Sequence, residues 1–322
     1  MQALITGANG FVGSTLARRL CARGDQVRCL EHESGDNRLL AGLEVQHFQG
    51  DVTDPASLRC AIQGAEVVFH LAGLRRSPER QRFMEVNAEG TRHLCQVMVE
   101  AAPAARLVLM SSIAAVGPRR DSPAEDAPLA PADWYGESKA EAERIARSFF
   151  RQLSVTIARP TRILGPGDRE NLLLFKIVGR GLRLSIGGGP RTFSVIDVED
   201  VVDALLLLAE RPEAVGEAFF VSREETGMET LEDEIARALG KRTRNLHVPE
   251  LAFRALAEVA DRVSQATGHH LPLNRKLAQQ VLVPAWTCST KKAEERLGFR
   301  AKVPVPESVA RSARWYRENG WI

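Results

Sequence analysis

The chain has 322 residues, with 43 Lys+Arg against 41 Asp+Glu and a formal net charge of +2. Its 44% hydrophobic and 26% charged residues exclude a disordered or low-complexity chain. The near-neutral balance argues against nucleic acid as the main partner, because phosphate binding needs a basic surface.

At roughly 100–200 residues per domain, the length fits one large α/β domain or one domain plus a smaller lobe. Residues 3–5 read as a strand and 11–23 as a helix. Strands follow at 26–30 and 45–48, then a helix at 55–63 that Asp54 caps. A strand at 66–71, a long helix at 83–101, a strand at 106–110, a helix at 135–152 and a strand at 155–158 complete the series. This alternation predicts a parallel sheet with helices on both faces and sites at the carboxyl ends of its strands. After Gly165-Pro166-Gly167 the rhythm changes. Helices are predicted at 172–178, 229–239, 251–267, 274–281, 291–296 and 307–318, with a glycine cluster at Gly187-Gly188-Gly189-Pro190. The longest apolar run, 204–209, lies between Asp203 and Glu210 and reads as a buried helix. It is far shorter than the ~20 residues of a membrane span. The expected division is a parallel-sheet domain over residues 1–165 and a smaller lobe over 166–322. Segments around 193–222 are expected to return to the main sheet.

The turn after the first strand is spaced Gly7-x-x-Gly10-x-x-Gly13. Such a turn lets backbone approach a pyrophosphate and packs helix against strand, while the helix N-terminus offers N–H groups to the phosphates. Gly7, Asn9, Gly10, Phe11, Val12 and Gly13 are the candidate phosphate-side residues. Glu31 ends the second strand, where a carboxylate binds the ribose 2′-hydroxyl and repels a 2′-phosphate. NAD(H) is therefore favoured over NADP(H), with Arg28 and Arg38 the residues that argue the other way. Asp51 is a candidate for the adenine amino group, with Val52 packed on the ring. Leu71, Ala72 and Gly73 end the fourth strand, where small residues let backbone pass close to the cofactor.

Tyr135-Gly136-Glu137-Ser138-Lys139 opens a helix, so Tyr135 and Lys139 share one face. A phenol with a pKa of about 10 must be retuned for acid/base work near neutrality, and a buried ammonium one turn away is a source of that tuning. Only two tyrosines occur in the chain, Tyr135 and Tyr316. Ser112 ends the fifth strand, where its hydroxyl can hold a substrate oxygen. The five cysteines, Cys21, Cys29, Cys60, Cys95 and Cys288, form no C-x-x-C pair and read as reduced, mostly buried thiols of a cytoplasmic protein. The N-terminus has no charged n-region or long apolar stretch, so no signal peptide is expected. The seven histidines show no ligand spacing beyond the adjacent His269-His270, so no metal is expected.

Together these features resemble the extended branch of the short-chain dehydrogenase/reductase family over nearly the whole chain. Thr6-Gly7-x-x-Gly10-Phe11-x-Gly13, Ser112 and Tyr135-x-x-x-Lys139 carry the match. So do Val86-Asn87 with Gly90-Thr91, the segment from Arg159 to Pro166, and the segment from Phe193 to Val201. The resemblance implies a Rossmann-type doubly wound sheet with a smaller, mainly helical C-terminal substrate lobe. It implies that Tyr135 is the acid/base, that Lys139 lowers its pKa and binds the nicotinamide ribose, and that Ser112 orients the substrate oxygen. Pro160 and Ile163 would lie near the nicotinamide. Asn87 is read equally as a cofactor contact and as a tie between helix and strand. A homodimer through helices 83–101 and 135–152 is also implied.

Three reaction classes use this machinery: alcohol/ketone oxidoreduction, sugar-nucleotide epimerisation, and sugar-nucleotide dehydration or decarboxylation. The dehydrating members resemble each other in acidic residues just after the catalytic Ser/Thr. Here those positions are Ile113 and Ala114, which disfavours elimination. Ser111 to Pro118 is similar to the 3β-hydroxysteroid dehydrogenase and dihydroflavonol reductase-like members, and Val116 stands where sugar epimerases carry tyrosine. The expected activity is hydride transfer between nicotinamide and a ketone or secondary alcohol on a small, fairly apolar substrate. The alternative is a UDP-sugar epimerase with tightly bound NAD, which Arg191 and Asn171 favour as candidate phosphate contacts. Leu74, Ser112, Ile113, Asn171 and Arg191 are the candidate substrate residues. A lid over residues 251–283, lined by Phe253, Leu256, Val259, Leu271 and Leu277, competes with ordinary core packing for each of those side chains.

Overall fold

The computed structural model describes residues 1–32, 37–119, 121–187, 189, 191–267, 275–283 and 285–322. His269, His270 and Leu271, and Gly188 and Pro190 of the glycine cluster, lie outside the described residues, as does the Leu277 side chain.

The first half builds in alternation: β1 (Gln2–Thr6), α1 (Phe11–Ala22), β2 (Gln26–Glu31), β3 (Gln46–Gln49), α2 (Pro55–Ile62) and β4 (Val67–His70). A helical stretch then runs through α3 (Arg80–Phe83), a π turn (Met84–Glu89) and α4 (Gly90–Ala101). Next come β5 (Arg106–Met110), α5 (Trp134–Ser148) and β6 (Ser154–Pro160). The second half holds β7 (Arg162–Leu164), α6 (Leu172–Gly179), β8 (Leu182–Ile186), β9 (Thr192–Asp197), α7 (Val198–Glu210), β10 (Ala218–Val221) and β11 (Glu224–Gly227). It ends with α8 (Met228–Leu239), β12 (Arg244–Val248), α9 (Glu250–Thr267), α10 (Arg275–Leu282), β13 (Ala285–Trp286), α11 (Lys291–Leu297) and α12 (Val305–Glu318).

Seven strands form one parallel sheet in the order β10-β6-β5-β4-β1-β2-β3. Every residue of β4 and β10 is buried, as continuous apolar strands covered on both faces should be. One face packs on α1, α7 and α11 through residues such as Leu16, Leu205 and Leu297, and the other on α2, α4 and α5 through Leu58, Leu94 and Ala146. The sheet is thus a doubly wound Rossmann-type fold. The chain runs outward from β1 through β2 to β3, then returns to place β4 on the other side of β1. Strand order therefore reverses between β1 and β4, and the crevice at their carboxyl ends is where such sheets take ligands.

The segment around 193–222 divides between two sheets. β10 joins the main sheet beside β6, as expected for residues 218–221. β9 does not: it pairs with β7, β11 and β13 in a separate four-stranded sheet. The edge of β6 is already filled by β10, so β9 finds its partner in β7, the strand that follows β6 directly. The apolar run 204–209 lies in α7, whose N-cap Asp197 accepts a hydrogen bond from Glu199 N–H.

The small sheet packs on α6, α8 and α12 around Phe175, Leu231, Ile235 and Val309. Tyr316 belongs to this core: it is fully buried and donates its hydroxyl to Asp168 O at 2.6 Å. In α9, Phe253 is buried, but Leu256 and Val259 are each 56% exposed, so neither packs in a core. Among the described residues no helix is long and apolar enough to cross a membrane.

Candidate active site

Gly7 and Gly13 show why the first turn needs glycine. Gly7 has φ +70°, and a Cβ there would lie 2.8 Å from the Ala72 backbone. A Cβ on Gly13 would lie 2.2 Å from Gly7 O, so α1 seats directly on the turn. Gly10 is the N-cap of α1, no side chain caps it, and the first helical turn holds no acidic residue. The N–H groups and positive dipole end of α1 are therefore directed at the crevice, the arrangement that fits a pyrophosphate. Phe11 and Val12 begin this helix, and Asn9 donates to Asn37 Oδ1 at 3.1 Å.

Glu31 ends β2 with its side chain 1% exposed. One carboxylate oxygen accepts from Asn37 Nδ2 at 2.5 Å, and the other lies 2.6 Å from His47 Nδ1. Each oxygen keeps a second lone pair for a ribose hydroxyl. Arg28, which argued for a 2′-phosphate, is spent elsewhere: it donates to Ala61 O and Gln63 O and lies over the Phe48 ring. Asp51 accepts from Thr53 N–H and lies 3.1 Å from His32 Nε2, and these partners hold its carboxyl below the ordinary range against the opposing effect of burial. Val52 is buried where α4 crosses it at Gly90.

The carboxyl end of β4 is fixed by a hydroxyl–imidazole chain. Thr91 donates its hydroxyl to Asn87 O at 2.7 Å, so its oxygen accepts from His70 Nε2–H at 3.1 Å. His70 Nδ1 then accepts from the Thr6 hydroxyl at 2.8 Å, and Thr6 accepts from Ala72 N–H. Full burial and the nearby Lys139 push the His70 pKa down to about 3. The unfolded chain binds this proton below about pH 6.5 and the native chain does not. Stability is complete above that pH and falls as pH drops, by about 1.4 kcal/mol per unit. His70→Gln should flatten this dependence by about 2 kcal/mol between pH 6.5 and 5, read from urea midpoints. Equal slopes for variant and parent would contradict a neutral His70.

The π turn brings Asn87 to the loop after β4. Its Oδ1 accepts from Leu74 N–H at 2.7 Å, and its Nδ2 donates to Leu74 O and Ser138 Oγ. Asn87 thus ties loop, helix and α5 together. A Cβ on Gly73 would meet Asn87 Oδ1 at 2.9 Å and Lys139 Nζ at 3.2 Å, which places Gly73 and Leu74 beside Lys139. Leu71 is buried at the end of β4.

Asp133 caps α5 by accepting from Gly136 N–H at 2.6 Å. Gly136 lets the helix start against the turn Ile113–Ala115, since a Cβ would lie 2.4 Å from Ala114 O. This seating brings the Tyr135 hydroxyl to the Ser112 side chain, which acts to lower its pKa. Ser112 also accepts from Ala114 N–H, and Ile113 is buried behind it. Lys139, 4% exposed, has Nζ 6.0 Å from the Tyr135 ring centroid and donates to Met110 O at 2.9 Å. Burial, with Arg75 nearby, lowers its pKa to about 8.

Two expectations change. The Tyr135 pKa is raised, because burial outweighs the lowering effects of Arg75 and Ser112. The cation that most lowers it is Arg75, with Cζ 4.4 Å over the ring. Pro160 ends β6, and Ile163 lies half-buried in β7. The Asn171 amide is consumed internally, donating to Ile163 O and Asp168 Oδ2 and accepting from Arg162 Nε. Arg191 donates to Ile186 O, beside Glu250.

Sequence reasoning gave no role to Arg75, Arg162 or Glu143. Glu143 is one further turn along the face of Tyr135 and Lys139, a spacing that could have flagged it. It is fully buried, accepts from Ser111 Oγ at 2.6 Å, and pairs through both oxygens with Arg159 at 2.7 and 2.9 Å.

A ceramide reductase of Caulobacter vibrioides is 28% identical to this chain, covering 99% of it and 95% of the relative. Sterol demethylase protein B of Methylococcus capsulatus is 30% identical, covering 100% of both chains. Among solved structures, the dTDP-glucose 4,6-dehydratase DesIV of Streptomyces venezuelae, with NAD and TYD bound, superposes with a TM-score of 0.81 at 25% identity. That match covers 100% of this chain and 98% of the other. The model of the NAD dependent epimerase/dehydratase family matches residues 3–221. With its glycine turn, uncapped α1 and acidic β2 end, the chain belongs to the NAD-dependent epimerase/dehydratase family, in the extended short-chain dehydrogenase/reductase branch, and its cofactor is NAD.

Proposed function

We propose that the protein is an NAD(H)-dependent oxidoreductase acting on a ketone or secondary alcohol of a lipid-like substrate. The observation that carries this reading is Tyr135 seated beside Ser112 with Nζ of buried Lys139 6.0 Å from its ring centroid, at the end of the crevice where β1 and β4 part. Bound NAD(H) supplies or accepts the hydride. Ser112 Oγ holds the substrate oxygen, and Tyr135 Oη gives it a proton in reduction or takes one in oxidation. Burial keeps the phenol protonated at neutral pH, the form that donates to a carbonyl oxygen. Lys139 has protons beyond the one given to Met110 O, and these suit a ribose hydroxyl. No carboxyl group follows Ser112: Ile113 and Ala114 are both buried, which leaves elimination without its extra acid/base. The ceramide and sterol relatives support an apolar substrate. α4 and α5 lie side by side, a pairing that suits a homodimer built on these two helices.

The test is the nucleotide released on denaturing the purified protein, followed by NADH oxidation with sterol- and sphingolipid-type ketones. An oxidoreductase should come out largely empty, bind NADH reversibly and turn over one of these ketones. Near-stoichiometric NAD⁺, with no ketone reduction, would instead support an epimerase that returns its hydride to the same substrate.

A further inference from the structure

The exposed apolar side chains of this protein are not scattered. Nine large ones are exposed among the described residues, and six belong to three neighbouring elements: Leu182 on β8, Leu246 on β12, and Leu251, Leu256, Val259 and Val263 on α9. β12 pairs with β8 as a separate two-stranded sheet, which α9 and α10 cover through a small core of Val248, Phe253, Ala257 and Ala278. That core uses only part of the apolar surface of α9. At 100° per residue, Leu256, Val259 and Val263 fall within about 60° of one another and away from Phe253 and Ala257. Leu251, in the first turn, is 81% exposed. Apolar side chains gathered on one surface in this way mark a docking site more often than singly exposed ones do.

The charge of these elements identifies the occupant. Residues 180–186 and 241–263 hold seven Lys/Arg against three Asp/Glu, in a chain whose total is only +2. All three acids lie on α9 and each is paired: Glu250 with Arg254, Glu258 with Arg262, and Asp261 with Arg275 of α10. Lys241, Arg242 and Arg244, exposed where the chain enters β12, have no carboxylate in ion-pair contact among the described residues. The charge left over is therefore cationic. A second copy of the chain docked here about a two-fold axis would bring this patch against one of the same sign. A bilayer with anionic headgroups matches both features: leucines enter the acyl boundary, and lysine and arginine meet the phosphates.

We propose that β12 and α9 dock on the surface of a bilayer carrying anionic headgroups, with α9 lying in the plane of the interface. The proposal stands apart from the chemistry at Tyr135, since docking needs no turnover. It gives an enzyme of lipid-like substrates a means of meeting them at the membrane.

The experiment is flotation of the NADH-loaded protein with two kinds of vesicle, pure phosphatidylcholine and phosphatidylcholine with about 30 mol% phosphatidylglycerol. The protein should bind the anionic vesicles about tenfold more tightly, and raising salt from about 0.1 M to about 1 M should remove that preference. Leu251→Ser and Leu256→Ser should each weaken binding about tenfold. Lys241→Gln with Arg242→Gln should weaken it about tenfold on the anionic vesicles only. All four side chains are exposed, so NADH affinity and the urea midpoint should match the parent's in every variant. Equal binding to the two vesicle types would overturn the proposal, as would binding that survives these substitutions. Absence of flotation would overturn it too. A dimer lost in Leu256→Ser would then assign the surface to a second copy, and a raised KM for a water-soluble ketone would assign it to the substrate cleft.

Discussion

Replacing Tyr135 by phenylalanine is expected to lower turnover by about 10³-fold and to leave NADH affinity within about twofold. Phenylalanine keeps the ring beneath Arg75 and its edge contact with Phe83, whose centroid is 6.4 Å away. The change removes one hydroxyl, and with it the proton carried to the substrate oxygen. Cofactor affinity should hold because the glycine turn, Glu31 and Lys139 are untouched. Steady-state kinetics with NADH fluorescence titration separates the two quantities. Turnover within tenfold of the parent would remove Tyr135 from the chemistry. Loss of NADH binding together with turnover would mean that the phenol serves the cofactor site.

The second large effect concerns stability. Arg159 is 2% exposed, Glu143 is fully buried, and the pair is bidentate. Arg159 also donates to Glu125 O at 2.8 Å, and Glu125 accepts from Phe220 N–H, which links β6 to β10. Arg159→Met leaves the Glu143 carboxylate buried with only the Ser111 hydroxyl. The expected cost is about 3–5 kcal/mol, the range for removing one partner of a buried pair. Adding Glu143→Leu should recover a large part of it, because the stranded charge is then gone. Urea unfolding of the single and double variants measures both numbers. A single variant within about 1 kcal/mol of the parent would show that the pair contributes little.

The parts legible in the sequence are those whose chemistry is local. A strand, a glycine turn and a helix lie within a few residues, and Tyr135 and Lys139 are one helical turn apart, so spacing alone suggests their joint position. The parallel sheet was legible because its buried strands are short apolar runs between helical periods. Apart from β10, the strands of the second half were not. β7, β11 and β13 span two to four residues, too few for a period to register, and all three depend on β9 for pairing. Arg75 escaped notice because its partner Tyr135 lies 60 residues away and only the loop after β4 joins them. Asn171 reads as a phosphate ligand by type, but a type does not reveal that its amide is already consumed by Asp168, Ile163 and Arg162.

The helix before β5 was read as beginning at residue 83, but helical structure starts at Arg80 and passes through a π turn before α4. That turn holds one residue more than an α-helical path of the same length, so it separates two requirements that a regular helix would couple. α4 must present Leu94 and Met98 to the sheet, while Asn87 must face Leu74 and Ser138. Each residue of an α-helix turns the face by about 100°, so the wider turn shifts the direction of Asn87 relative to that of Leu94 and Met98. The surplus residue acts as a phase shifter between cofactor cleft and core. Loss of one residue from this turn would leave a well-formed helix on the sheet and an asparagine aimed at the wrong neighbours, an error of phase that no inventory of the residues present would reveal.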